Sequence, residues 1–276
     1  MPLLTGLTPD GLEVPVQVKP DGRLVAEGLT GPAGPQGPAG PAGGSGGSGQ
    51  PAGSGNVLIN GALTINQRGV TIAAAAVGKY GPDRWKKVDA GNMTQIVEDG
   101  SFDPGATYTL SGTGVTTQQL TAPATGNWTL PDIPITATKI QLELGTVATP
   151  FERRPIGTEL ALCQRYYLRL QPGGGDKAYG LGFARTSIAN NCVIPFPVAM
   201  RSNVSAVETT GTATDYGVDL DSGGLKNCNS TPNFLRGGVL NATINFPIAS
   251  GFTTGGEAVI ATARNSNSFL GFSAEL

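Results

Sequence analysis

The sequence contains no histidine, and this removes the side chain that serves most often as a catalytic base. Ser-His-Asp triads and Cys-His dyads are therefore excluded, as are most transition-metal sites. Paired carboxylates could replace them, but the acidic residues stand mostly in turn sequences such as residues 98–100 and 103–104. No long repeat of the β-helix type is present either. We therefore expect a protein that is not an enzyme and needs no cofactor.

Cysteine is also scarce, and Cys163, Cys192 and Cys228 are widely spaced and odd in number. This pattern argues against a framework of intrachain disulfides and favours buried thiols in a protein made in a reducing cytoplasm. The N-terminus has neither a basic segment nor an apolar one, so no secretory signal peptide is expected. The longest apolar stretch, residues 71–77, is too short to cross a bilayer, and no membrane insertion is expected.

Charged residues make up only 14% of the chain, and 18 Lys and Arg nearly balance 20 Asp and Glu. The basic residues are scattered, so the basic surface of a nucleic-acid-binding protein is missing. Glycine and proline, at 42 and 21 residues, are abundant by contrast. Together with frequent Thr, Val, Ala and Asn and recurrent turn pairs, this composition predicts short strands and tight turns, and hence a mainly β protein.

Much of the glycine excess falls in residues 28–51, where every third residue is glycine without interruption. These glycines are Gly28, Gly31, Gly34, Gly37, Gly40, Gly43, Gly46 and Gly49. Three polyproline-II chains can wind together only if every third residue lacks a side chain at the crowded axis. We therefore predict a collagen-like triple helix, and with it a homotrimer, in a spacer of residues 28–55.

The second half of this spacer has an alternative interpretation. Residues 43–49, GGSGGSG, have the composition of a flexible Gly/Ser linker and could match the glycine phase by coincidence. The repeat is also short and offers no charged residues for pairing between chains. We therefore expect the flanking domains to hold the three chains together, with the triple helix as a spacer between them.

Residues 1–27 predict a β-hairpin. Valines alternate in residues 14–18, residues 19–22 (KPDG) have the composition of a turn, and residues 23–27 can return as a second strand. A single hairpin of this size is marginal in water, so it needs a partner surface, which is either the other two chains or a docking protein. We expect this segment to attach the chain to another protein.

Residues 56–154 predict a β-rich middle domain. Turn sequences separate the expected strands, which are residues 56–60, 62–66, 107–110, 127–130 and 139–144. Trp85, Tyr108 and Trp128 could stack on sugars, but aromatic side chains in such a layer are more often part of the core. We predict that they are core residues.

Residues 155–276 predict a short helix followed by a C-terminal β-sandwich. Thr158 is the expected N-cap, and Leu160, Leu162 and Cys163 form the apolar face. Clusters of Gly, Asn, Ser and Pro separate strands expected near residues 178–186, 192–199, 204–210, 214–220, 239–248, 256–263 and 268–275. This number of short strands is typical of a sandwich or jelly roll.

Candidate binding residues lie in polar, glycine-rich parts of the same domain. Tyr179, Tyr216, Asn229 and Asn233 combine amphipathic rings and amides, which surface loops use to bind carbohydrate or protein. Aromatic residues in apolar surroundings are expected instead in the core or at a trimer interface; these are Phe183, Phe196, Phe246 and Phe272.

Alternating acids at Asp215, Asp219 and Asp221 suit a hard cation such as Ca²⁺. Their spacing lacks the full calcium-loop pattern and its closing glutamate, and a solvated hairpin with a turn at residues 222–224 is favoured. We therefore predict no metal site, with Asp219 and Asp221 as the remaining candidates.

Several short motifs resemble those of bacteriophage tail-fibre proteins, including those of cyanophages. They are residues 56–61 with 67–69 and 83–85, residues 140–145 with 148–157, and residues 159–167, 195–201 and 272–276. The resemblance implies a jelly-roll-like middle domain, a helix-to-strand join and a tip domain. The middle domain departs from the family's pattern, since about 55 residues separate Trp85 from Ile140, fewer than such modules usually have.

The resemblance further implies a virion tail fibre made in the host cytoplasm. Its N-terminus would attach to a tail, baseplate or capsid protein of the phage, and its C-terminal domain would bind a glycan or protein of the host surface. One alternative is a head fibre, collar or baseplate component without receptor binding. A bacterial collagen-like surface adhesin is a second alternative.

Overall fold

The computed structural model describes residues 4–7, 13–18, 20–22, 24–26, 55–220, 223–252 and 256–276. The Gly-X-Y repeat, and with it the predicted triple helix, lies outside the described residues. Residues 1–49 and residues 50–276 belong to separate units. The fold is mainly β, with several antiparallel sheets.

The N-terminal unit contains a three-stranded antiparallel sheet in chain order, formed by β1 (Leu4–Leu7), β2 (Glu13–Val18) and β3 (Leu24–Ala26). Strands β2 and β3 form the predicted antiparallel pair, with Gln17 opposite Val25. Gly22 lies in the turn between them at φ 82°, a left-handed conformation that glycine adopts without strain. Strand β1 was not predicted.

In the second unit, eight short strands precede the helix. They are β4 (Lys86–Lys87), β5 (Asn92–Thr94), β6 (Ile96–Val97), β7 (Thr107–Thr113), β8 (Gln118–Thr121), β9 (Trp128–Thr129), β10 (Ile133–Pro134) and β11 (Thr138–Leu144). They form three small antiparallel sheets with the strand orders β10-β5-β4, β11-β7-β8 and β6-β9. Their inward side chains share one core.

The strands predicted at residues 56–60 and 62–66 are not present, and a turn occupies this part of the chain. Asn60 has a φ of 57°, and its side chain donates to Ile65 O (2.8 Å) and Asp83 O (3.0 Å) and accepts from the Ile65 amide (2.9 Å). The asparagine amide therefore supplies the hydrogen bonds that a strand partner would otherwise supply. One bridge, between Asn56 and Glu143, is the remaining β contact there.

Trp85, Tyr108 and Trp128 lie in the core of this half, as predicted. Trp85 is fully buried, and its indole Nε1 donates to Asn60 O at 2.9 Å. Trp128 meets Tyr108 and Phe102 edge to face, each with 5.4 Å between ring centroids. The large rings therefore compensate for strands that are individually too short to form a stable sheet.

Helix α1 (Ile156–Gln164) follows, and its N-cap is Pro155 rather than the predicted Thr158. The Glu159 amide donates to Pro155 O at 3.0 Å, so helical hydrogen bonding begins before Thr158. Pro155 has the non-helical backbone angles of an N-cap, with ψ at 137°, and no side-chain hydrogen bond caps this end of the helix. No helix in the described ranges is long and apolar enough to span a membrane.

Nine strands complete the chain, together with a short 3₁₀ turn at Ala213–Asp215. They are β12 (Tyr167–Leu170), β13 (Lys177–Ala184), β14 (Asn190–Pro195), β15 (Tyr216–Leu220), β16 (Gly224–Asn227), β17 (Asn233–Gly237), β18 (Asn241–Asn245), β19 (Ala258–Ala263) and β20 (Leu270–Ser273). Seven of them form one antiparallel sheet in the order β16-β15-β19-β13-β14-β18-β17, and β12 pairs with β20.

The pair β12-β20 and one face of the seven-stranded sheet contribute side chains to a second core. Leu168, Leu270 and Phe272 from the pair join Tyr216 and Ile244 from the large sheet. Four phenylalanines were predicted to lie in the core or at a trimer interface. Phe196, Phe246 and Phe272 are buried in this core, whereas Phe183 is half exposed. Two layers therefore enclose one core here.

The strand predicted at residues 204–210 is wrong. Only Glu208 forms a bridge there, exchanging backbone hydrogen bonds with Gly271 at 2.8 and 2.9 Å. Strands β16 and β17 were not predicted, because they lie at the two edges of the sheet and their residues are mostly exposed. An edge strand without a buried face lacks the alternation by which strands are recognised.

Candidate functional site

The structure places two of the four predicted binding residues in the core, which corrects the expectation of exposed loops. Tyr179 in β13 and Tyr216 in β15 are 7% and 0% exposed. Both rings pack near Phe246, with centroid distances of 6.2 and 6.4 Å. The Tyr216 hydroxyl accepts from the Thr210 amide (2.9 Å) and donates to Phe269 O (2.7 Å), so it has no free capacity for a ligand.

Asn229 and Asn233 are exposed, as predicted for binding residues. Asn229 and Ser230 form the tip of a short segment that we call the 229–230 loop. It is held between buried Cys228 and buried Pro232, and the Asn229 amide donates to Pro247 O at 3.0 Å. The loop therefore presents polar side chains from a fixed backbone, which lowers the entropy lost on binding.

Of the two candidate metal ligands, Asp219 and Asp221, the structure describes the first. Asp219 is exposed in β15, and Asp221 lies outside the described residues. Within the described ranges, no group of three or more His, Cys, Asp or Glu side chains is arranged to hold a metal ion.

The three cysteines are buried and free, as predicted. Burial raises the pKa of Cys192 and of Cys228 to about 12, and it raises the pKa of Cys163 as well. A thiol that stays protonated at neutral pH is a poor nucleophile. These side chains therefore act as small apolar residues.

The densest charged cluster was not predicted, and it surrounds the penultimate residue, Glu275. The Glu275 carboxylate pairs with Arg84 and lies 3.4 Å from Arg68. The side chains of Arg84 and Glu275 are only 1% and 6% exposed. We call Arg68, Arg84 and Glu275 the junction cluster, because it links the middle of the chain to its last strand.

Aromatic rings and backbone carbonyls complete the surroundings of the junction cluster. The Arg84 guanidinium lies 3.5 Å from the ring centroid of Tyr166, and Arg68 lies 3.5 Å from that of Tyr167. The Tyr80 hydroxyl donates to Leu276 O at 2.7 Å; burial, reinforced by the charge of Glu275, raises the pKa of Tyr80 to about 12. These contacts hold residues 275–276 against residues 68–84.

A second ion pair lies beside a cleft. Arg165 contacts Glu98 at 3.0 Å, and the Tyr166 hydroxyl donates to the same carboxylate at 2.7 Å. Burial opposes ionisation of Glu98, but the hydrogen bonds from Tyr166 and Arg165 outweigh it and lower its pKa. Burial and the bond to Glu98 raise the pKa of Tyr166 to about 12.

The cleft measures about 690 Å³, and its walls include Glu98, Asp103, Glu152, Arg153 and Arg165. Three acidic residues and three basic residues line it, Arg154 being the third basic one, so it does not select strongly for either sign of charge. Its abundant donors and acceptors suit a polar ligand that binds through hydrogen bonds.

The described residues thus form a mainly β protein with two hydrophobic cores. The ion pairs and cation–π contacts of the junction cluster connect the segments that carry these cores. Comparison of the chain with protein-family models, with curated proteins and with solved structures finds no match. Its function is therefore inferred from its own residues and geometry.

Proposed function

We propose that this protein is a homotrimeric virion fibre of a bacteriophage, with residues 1–27 attached to the particle and the C-terminal domain bound to the host surface. The observation that carries the proposal is the uninterrupted Gly-X-Y phase of residues 28–51, directly ahead of a β-rich unit. A Gly-X-Y repeat allows three polyproline-II chains to wind together, so it favours an elongated spacer between an N-terminal attachment segment and a C-terminal binding domain.

The 229–230 loop supports a binding role for the C-terminal domain. Its polar side chains are exposed, while its ends are anchored by buried residues. Three copies on one fibre would raise the avidity for a repeated surface ligand through effective concentration, without any new contact. Weak individual contacts are then sufficient for attachment.

The triple helix is tested with Gly37→Val in the full-length protein. Valine at this position would place a side chain at the axis of the helix, so we expect residues 28–42 to lose resistance to thermolysin in the cold. The matched control is Ala39→Val, which adds a valine at an outward triplet position and should retain the resistance. Equal digestion of the two variants would contradict the triple helix.

Host binding is tested with labelled full-length protein on a panel of intact bacterial strains. We expect saturable binding to at least one strain, and a loss of about tenfold or more in Asn229→Lys/Ser230→Lys, since a bulky charge would block contact through the loop. The control is Asn267→Lys, another exposed asparagine.

Two results would count against this role. Undiminished binding by the loop variant would remove the 229–230 loop from the binding surface. Absence of binding to every strain, combined with binding to purified phage particles, would favour the alternative of a head, collar or baseplate component.

A further inference from the structure

The seven-stranded sheet buries one face in the core and leaves much of its other face exposed. In β15 and β19, Val218 and Val259 point into the core, whereas Asp219 and Ile260 point away from it. Successive side chains of a strand alternate between the two faces, so the pairing register identifies which residues share the second one. We call it the outer face.

Apolar side chains stand next to one another in the middle of the outer face. Leu181 in β13 is opposite Ile260 in β19 on one side and opposite Val193 in β14 on the other. Phe183 lies two residues further along β13, on the same face. Leu181, Phe183, Val193 and Ile260 are 66%, 49%, 46% and 37% exposed, and we call them the outer patch. Adjacent exposed apolar residues mark interaction sites more often than single ones do.

Polar residues border the outer patch on both sides. At one margin, Asp219 of β15 is opposite Ile260. At the other margin, Thr243 of β18 is opposite Val193, and Arg236 of the edge strand β17 is opposite Thr243. An apolar centre with a polar margin is the usual anatomy of a protein interface. The charged residues at the two margins, Asp219 and Arg236, are of opposite sign, and exposed Leu225 lies opposite Asp219 on the next strand, β16.

Two buried polar atoms of the outer face have no hydrogen-bond partner within the described chain, Asn191 Oδ1 and Thr262 Oγ1. Asn191 is opposite Phe183, and Thr262 lies two residues from Ile260 on β19. Both atoms are already enclosed within a single chain, so the surface that covers the patch has to be identified from another feature of the chain.

The Gly-X-Y repeat indicates which surface that is. In the fibre proposed above it joins three copies in one assembly, and it ends only a few residues before Gly55, where the described unit begins. Three copies of this unit are therefore tethered at high effective concentration. In a threefold arrangement, the acidic margin of one copy can meet the basic margin of the next.

We propose that the outer patch is the contact surface between the copies of this unit in the trimer. The proposal rests on the trimeric fibre proposed above and identifies which face the copies share. It also accounts for the expectation that the β domains, and not the short collagen-like spacer, hold the chains together.

Cysteine labelling tests the contact without disrupting it. All three natural cysteines are buried, so in Leu181→Cys the thiol at position 181 is the one whose labelling reports on the outer patch of the full-length protein. The control is Val147→Cys, in a turn residue that is 71% exposed. We expect a maleimide to modify Cys at 181 about tenfold or more slowly than Cys at 147 in the trimer, because an interface core excludes solvent. Equal rates in a protein that light scattering shows to be trimeric would overturn the proposal.

A disruptive variant provides the second measurement. Leu181→Arg/Val193→Arg should weaken trimer formation by about 100-fold or more in size-exclusion chromatography with light scattering, since it places charges at the centre of the contact. Val77→Arg/Val147→Arg, which changes two exposed valines elsewhere, should remain trimeric. Unchanged circular dichroism and tryptophan fluorescence would show that the patch variant still folds.

The outcomes separate the two proposals. A patch variant that folds and stays trimeric contradicts the contact surface alone and leaves the fibre intact. A parent protein that is monomeric at every concentration contradicts both. A trimeric parent that binds no cells leaves the contact surface standing and contradicts only the host-binding role.

Discussion

Glu275→Gln is expected to lower the free energy of unfolding by about 3 kcal/mol, because it removes the anion that pairs with fully buried Arg84 in the junction cluster. The glutamine keeps the shape and one acceptor oxygen but leaves the positive charge of Arg84 uncompensated. The Arg84 side chain is 1% exposed, so water cannot replace the lost charge. Urea unfolding at a fixed protein concentration measures the effect.

Two further variants compare the stability contribution of this buried ion pair with that of an ion pair at the surface. Asp176→Asn removes the partner of Arg264 in a pair at the surface, and we expect a loss of less than about 1 kcal/mol. Arg84→Met/Glu275→Gln should recover part of the loss seen in Glu275→Gln, since no unpaired charge remains at position 84. Equal losses for Glu275→Gln and Asp176→Asn would contradict the burial of the junction cluster.

Gly61→Ala is expected to lower the free energy of unfolding by about 3 kcal/mol, at the upper end of what overpacking costs. A Cβ atom at this position would lie 2.0 Å from the backbone oxygen of Ile140. A backbone oxygen cannot move aside as a flexible side chain can, and Gly61 O also accepts a hydrogen bond from the Ile140 amide at 2.8 Å. The alanine would therefore separate the turn at residues 60–63 from β11.

The matched control has the opposite expected sign. Gly157 lies in α1, and a Cβ atom there meets nothing within 4 Å. Gly157→Ala should therefore raise the free energy of unfolding by about 0.5 kcal/mol, because alanine loses less backbone entropy than glycine in a helix. Thermal and urea unfolding of both variants provide the comparison. A neutral Gly61→Ala would mean that this turn does not contact β11 closely in solution.

Much of the C-terminal domain could be predicted from local pattern. The segments expected at residues 214–220 and 256–263 contain β15 and β19, since alternation and turn residues act over only a few positions. The prediction failed at residues 204–210, where an extended segment meets β20 through Glu208 alone. Whether an extended segment finds a strand partner depends on residues far away in the sequence.

The tyrosine prediction failed for a different reason. Glycines near Tyr179 suggested an exposed loop, but Gly180 and Gly182 lie inside β13, where a Cβ atom would come within 2.3 and 2.1 Å of backbone oxygens of β14. Glycine in a strand can indicate a close approach of two backbones as readily as a turn. Tyr179 itself stands at the register shift between Ala178 and Gly180 in the pairing of β13 with β19, and its ring lies on the buried face.

The sequence by itself determined the Gly-X-Y phase, the absence of histidine chemistry, the β-rich composition and the aromatic core, because these depend on residue type and on neighbours within a few positions. Only the tertiary structure decided that Arg84 meets Glu275, 191 positions away, and that Leu181 and Val193 stand side by side on an exposed face. Pairing register and burial arise from contacts between distant segments. Such contacts also explain why Tyr216, predicted as a binding residue, is a buried core residue.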